Sequence, residues 1–132
     1  MIVVDTSALM ALLLDEPEAE AIARVLEETI EIRASAATLA EARIVAARRG
    51  LGAELDDLVD GLAISIDAVT AHTARQVSEA YAVWGKGIHP AGLNFGDCFA
   101  YVLAQSLGAP LLFVGEDFAR TDVMSALRIT SR

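Results

Sequence analysis

The chain has 132 residues, 55% of them apolar and 22% charged, with a formal net charge of −9. This composition excludes a disordered chain, which is poor in apolar residues, and the length suits one domain, 1–132, with a substantial core. A uniformly acidic surface repels nucleic acid and anionic membranes, so the charge argues against such partners unless the acids are gathered at one place.

Aromatic residues make up only 5% of the chain, which leaves Ala, Leu, Ile and Val to fill the core. The single cysteine, Cys98, has no internal partner for a disulfide, as expected in a reducing compartment. Met1 to Val4 run straight into Asp5 with no basic leader. The longest apolar stretch, Thr6 to Leu14, falls far short of the ~20 residues of a membrane helix. The expectation is a cytoplasmic protein with no membrane segment.

Two patterns alternate along the chain: short apolar or β-branched runs, and longer Ala/Leu/Glu-rich segments with helical spacing. A first strand, Ile2-Val3-Val4, ends at Asp5, and Ser7 to Leu14 reads as a helix stopped by Asp15-Glu16-Pro17. A second helix covers Glu18 to Glu28, with Pro17 at its opening. Ile30-Glu31-Ile32 reads as a short strand. Ser35 or Thr38 caps a helix running to Arg49 and closed by Gly50. Ala53 to Asp60 is helical, Ala63 to Ile66 a strand, Val69 to Trp84 a long helix and Gly85 to Gly92 a loop. Phe95 to Leu107 is a helix, Leu111 to Val114 a strand with the continuous apolar character of one buried on both faces, and Leu127-Arg128-Ile129 has the pattern of a last edge strand. Strands interleaved with helices predict parallel βαβ units: an α/β fold, a three-layer α/β/α sandwich around a mostly parallel sheet of about five strands. In such sheets, sites form beyond the carboxyl ends of the strands.

Four acids fall where that rule places chemistry. Asp5 ends the first strand and equally suits a helix N-cap. Asp97, at the third position of the helix opened by Asn94, has the place of a capping-box acid, yet the same place holds a carboxylate rigidly over the sheet. Glu41 lies in the third helix among apolar neighbours, as a solvated surface Glu also does. Asp117 follows the strand ending at Val114, with Glu116 and Asp122 nearby, in a setting that also suits a turn. Each alone has a plain structural explanation; the conjunction points further. Carboxylates ~5 Å apart at an effective dielectric of ~20 repel by roughly 3 kcal/mol per pair. A cluster therefore requires protonation or cations, and oxygen donors suit Mg²⁺ or Mn²⁺, ions that serve phosphodiester hydrolysis.

Val4-Asp5-Thr6-Ser7-Ala8-Leu9, Leu39-Ala40-Glu41-Ala42, Leu93-Asn94-Phe95-Gly96-Asp97-Cys98-Phe99-Ala100-Tyr101 and Leu111 to Phe118 with Thr121-Asp122-Val123 resemble, in order and over essentially the whole chain, the PIN-domain ribonucleases, and in particular the VapC-type toxins of toxin–antitoxin modules. The resemblance implies a Mg²⁺- or Mn²⁺-dependent endoribonuclease whose metal is held by Asp5, Glu41 and Asp97, with Asp117 as the fourth acid and Asp122 as its alternate. Thr6 would position water or phosphate. It also implies an RNA substrate, a cognate antitoxin covering the site, and a homodimer. Arg43, Arg48, Arg49 and Lys86 are the candidate phosphate contacts, and Lys86 is the only lysine; solubility explains them equally. The acidic runs Asp15 to Glu20 and Glu54 to Asp60 read as solvated helix surface, or as contacts for a basic antitoxin segment.

Other readings fit less well. His72 and His89 lack a third ligand at zinc spacing, and Cys98 reads as a buried thiol. A haloacid-dehalogenase-type phosphatase requires an Asp where Ser7 stands, and a receiver domain requires a Lys after the last strand, where Lys86 does not lie. An RNA-processing nuclease of the same fold, or an inactive binding module, remains the alternative function.

Overall fold

The computed structural model describes residues 1–127. Four parallel strands, β1 (Ile2–Val4), β2 (Ile32–Ser35), β3 (Ser65–Asp67) and β4 (Leu111–Leu112), form one sheet in the order β3-β2-β1-β4. Six α-helices join them: α1 (Thr6–Leu13), α2 (Ala19–Glu28), α3 (Ala36–Arg48), α4 (Gly52–Gly61), α5 (Ala71–Trp84) and α6 (Phe95–Leu107). A short 3₁₀ turn, Phe118–Arg120, follows β4.

The period-2 alternation of β1 divides the core. Ile2 and Val4 pack with Leu9, Ile22, Leu26 and Leu55 from α1, α2 and α4. Val3 faces the other way, against Val77, Leu93, Val102 and Leu111 on the side of α5 and α6. Each such aliphatic side chain contributes ~1.5–3 kcal/mol on full burial, so sliding β1 by one residue would exchange its two faces and is strongly disfavoured. The α/β sandwich is as expected, but the sheet has four strands rather than about five. The pattern at Leu127-Arg128-Ile129 falls mostly outside the described residues. Immediately before it the chain makes only one bridge to the sheet, Leu111 with Ser125.

The second strand also lies later than the alternation at Ile30 to Ile32 suggests. Ile30 is fully exposed, whereas Ile32, Ala34 and Ser35 are buried. Tertiary pairing decides this register: Arg33 reaches Asp67 on β3 through two hydrogen bonds of 2.9 and 2.7 Å and also holds Glu31. A bidentate guanidinium–carboxylate pair fixes geometry as well as charge. The apolar run at Leu111 is sheet for only two residues, because the amide of Val114 turns away to the hydroxyl of Ser7.

Two strands enter helices without an intervening loop. Asp5 ends β1 and caps α1; Ser35 ends β2 and caps α3. Both caps lie at the carboxyl edge of the sheet. The chain leaves β1 toward α1 on one face and reaches β4 from α6 on the other, so the crevice beyond β1 and β4 is where ligands gather in such folds.

Candidate active site

Asp5 is buried, with 4% of its surface exposed. Its Oδ2 accepts two hydrogen bonds from Ser7, from the hydroxyl at 2.7 Å and from the amide at 3.0 Å. The same hydroxyl accepts from the amide of Val114. Ser7 therefore ties the Asp5 carboxylate to the exit of β4, and its part goes beyond what the sequence reading gave it. The available signal was a hydroxyl residue two places after a strand-end Asp. The capping role and the site role of Asp5 coexist, since one oxygen serves both Ser7 bonds.

Glu41, on the second turn of α3, is half-buried, and its Oε1 accepts from the hydroxyl of Thr6 at 2.9 Å. That hydroxyl also lies 3.3 Å from the carbonyl of Thr38. Through this hydroxyl Thr6 orients Glu41. On the far side of Glu41 stands Gly96: a Cβ there would lie 2.8 Å from Oε2. The absence of a side chain at Gly96 thus lets α3 place Glu41 against the first turn of α6.

Asp97 stands on that same turn. Asn94 and Asp97 form a reciprocal capping box, the Asn94 amide donating to Asp97 Oδ2 at 3.0 Å and the Asp97 amide to Asn94 Oδ1 at 2.8 Å. Desolvation pushes the Asp97 carboxyl up to about 6, with the charges of Asp5, Glu41 and Asp117 adding to the shift and the Asn94 amide opposing it. Burial likewise raises the carboxyl of Asp5, opposed by the Ser7 bonds and reinforced by Glu41. The four acids therefore share one electrostatic neighbourhood. The described ion pairs, Arg33 with Glu31 and Asp67 and Arg43 with Asp56, give none of them a basic partner.

Asp122 is placed differently. Its Oδ1 accepts from the hydroxyl of Tyr101 at 2.5 Å and from Gln105 at 3.3 Å, and Trp84 donates to the same tyrosine oxygen. It anchors the segment after the 3₁₀ turn to α6, while the exposed Asp117 is the acid that acts on Asp97. Glu116 is exposed beside it. Arg48, seven residues beyond Glu41, lies about 10 Å further along α3 and away from the strand ends. Arg43 is occupied by Asp56, whereas exposed Lys86 stands near the N-terminus of α6. Cys98 is fully buried, and burial with the Asp97 charge pushes its thiol up to about 11, which keeps it protonated and unreactive.

Among the described residues, no three acidic, His or Cys side chains stand close enough together, as oriented here, to hold a metal ion. Asp97 Oδ2 is turned toward Asn94 and Glu41 Oε1 toward Thr6. The chemistry of the donor set nevertheless fits a hard divalent cation. The donors are carboxylate oxygens, mutually repelling and without a basic partner, and a cation supplies the compensation they lack.

A parallel sheet with acids gathered beyond its carboxyl edge places this chain among the α/β proteins whose site lies at the strand ends. The PIN domain family model matches residues 2–124. The VapC ribonuclease Mb0640 of Mycobacterium bovis is 47% identical over 124 residues, covering 92% of this chain and 95% of that protein. The ribonuclease VapC of Mycolicibacterium smegmatis is 44% identical, covering 92% and 96%. In three dimensions the chain resembles VapC20 of Mycobacterium tuberculosis, described as a sarcin–ricin-loop-cleaving toxin, with a TM-score of 0.78, 18% identity and coverage of 94% and 97%. It also resembles a chain of a toxin–antitoxin complex from Klebsiella pneumoniae, with a TM-score of 0.74, 17% identity and coverage of 98% and 100%. The chain belongs to the PIN-domain family and, within it, to the VapC ribonuclease toxins. Among the described residues no helix is long and apolar enough to cross a membrane.

Proposed function

We propose that this ribonuclease toxin is a Mg²⁺- or Mn²⁺-dependent endoribonuclease in which Asp5, Glu41, Asp97 and Asp117 hold the cation. The observation that carries this reading is the Asp97 carboxyl, raised to about 6 by burial and by three neighbouring acids. Without a cation the chain would retain this repulsion and gain nothing from it. Held by these acids, a divalent cation would supply an activated water and positive charge for phosphodiester hydrolysis.

The chain's own residues supply position. Ser7 holds one oxygen of Asp5 and leaves the other for ligation. Thr6 and the space at Gly96 fix Glu41 from two sides. The capping box holds Asp97 on the first turn of α6, where the helix dipole favours negative charge. Asp117 completes the set from the loop after β4.

The substrate is RNA, and the site's negative field makes binding depend on the cation. A cognate antitoxin neutralises the enzyme through a basic segment suited to a chain of net charge −9; the relative from Klebsiella pneumoniae, a chain of a toxin–antitoxin complex, supports such a partner. The proposal includes a homodimer in the cytoplasm, read by sedimentation and fractionation.

The test is cleavage of RNA by purified, antitoxin-free protein in Mg²⁺, Mn²⁺ and EDTA. Cleavage is expected only with the cations and is abolished by Asp5→Asn and by Asp97→Asn in folded protein. Full cleavage in EDTA, or by both variants, would overturn the metal-nuclease reading.

A further inference from the structure

Phe95 is the first residue of α6, two positions before Asp97, and 72% of its surface is exposed. Solvation alone does not explain a large aromatic at such a place. Its ring meets Phe99 edge to face, with centroids 5.0 Å apart at 84°. That contact fixes the ring's orientation without covering it. Facing it across a cavity of about 470 Å³ are Val77, Ser78 and Tyr81 of α5, with Lys86 and Asn94 at the rim. Tyr81 is itself 36% exposed, and the hydroxyl of Tyr81 contacts the carbonyl of Lys86 at 3.4 Å. An apolar slot walled by two aromatic side chains, with an ammonium group at its edge, thus adjoins the helix end that carries a site acid.

We propose that this slot is a nucleobase subsite: an unpaired base of the RNA stacks on Phe95 beside Tyr81, and Lys86 meets an adjoining phosphate. The inference deepens the nuclease reading above and rests on it for the identity of the polymer. Three features favour RNA over another occupant. The slot is lined by Asn94, which exchanges two hydrogen bonds with the site acid Asp97. Lys86, the only lysine of an acidic chain, is placed at this rim. Aromatic faces bind every base, and single-stranded RNA is read by stacking. An unpaired base held here would select loops or single strands over duplex.

The experiment uses the full chain and short unstructured RNAs carrying 2-aminopurine at successive positions, with binding read in Ca²⁺ and in EDTA and cleavage read in Mg²⁺. Wild-type protein in Ca²⁺ is expected to quench the reporter at one register, fixed relative to the cut site. Phe95→Ala should abolish the quench and weaken RNA binding roughly 5- to 100-fold, the range for losing one stacked base. Phe95→Tyr should restore both, whereas Phe95→Leu, which keeps an apolar contact with Phe99, should not. Lys86→Ala should lower the salt dependence of binding by about one ion.

Unchanged binding and quenching in Phe95→Ala would overturn the proposal. So would a loss of dimer in that variant with the quench intact, which makes the face a contact between copies. A protein that quenches the reporter but cleaves with no divalent ion refutes the metal-dependent reading and leaves the subsite standing; one that cleaves only with the ion and without quenching at any register does the reverse.

Discussion

Gly96 and Glu41 are in such close approach that a methyl group on Gly96 would stand 2.8 Å from the Glu41 carboxylate. The obstruction is to the end of a flexible side chain and not to backbone, so Gly96→Ala should fold. Its melting temperature is expected to stay within a few degrees of wild type, while the displaced carboxylate lowers kcat/KM by about 100-fold, the scale of a ~1 Å misplacement at a catalytic group. Comparing melting curves with cleavage rates checks this. A fully active Gly96→Ala would show that Glu41 needs no fixed position.

Asp97 gives the site a pH signature. Its carboxyl titrates at about 6 in the folded chain against the usual 3.8. The folded protein therefore holds a proton over a range in which the unfolded chain has released it. The stability this provides is complete below about pH 4 and is lost as the pH rises through about 6. Asp5 is shifted in the same direction. In EDTA the melting temperature should fall across this window, and added Mg²⁺ should restore more of it at about pH 7.5 than at about pH 5. Thermal melts with and without the ion measure the difference.

Asp97→Asn removes that repulsion and keeps an oxygen for the Asn94 amide. The variant is expected to be inactive, yet more stable than wild type near neutral pH in EDTA, and to gain less from Mg²⁺. A destabilised Asp97→Asn would mean that capping outweighs the repulsion.

Ser7→Ala deprives Asp5 of its hydroxyl partner and leaves the amide of Val114 without an acceptor. Orphaning such groups costs ~1–3 kcal/mol. The weaker hold on Asp5 should also raise the Mg²⁺ concentration needed for half-maximal cleavage. Denaturant unfolding and a metal titration read the two effects separately.

Asp117→Asn and Asp122→Asn should differ in kind. Asp117 acts on Asp97, so its loss should weaken metal affinity and rate together. Asp122 is bound to Tyr101 and Gln105, so its loss should mainly lower stability. Arg48→Ala, at the far end of α3, should change neither.

Much of this protein was legible in the order of its residues. Strand and helix periods, the Asn94 cap with Asp97 at its third position, and acids placed after strands define a parallel α/β domain and its acidic edge, because backbone hydrogen bonding and burial act over a few residues and leave a local pattern. What required the tertiary structure is whatever depends on two segments meeting. The second strand lies at Ile32–Ser35 because Arg33 finds Asp67, a partner 34 residues away. Thr6 serves Glu41, and Asp122 is drawn to Tyr101. Sequence spacing placed candidate acids near one another, but the direction of each carboxylate is set by contacts between distant segments: Glu41 is held by Thr6 and bounded by Gly96. Those contacts come into being only when the sheet has brought α1, α3 and α6 together, and no local pattern encodes them.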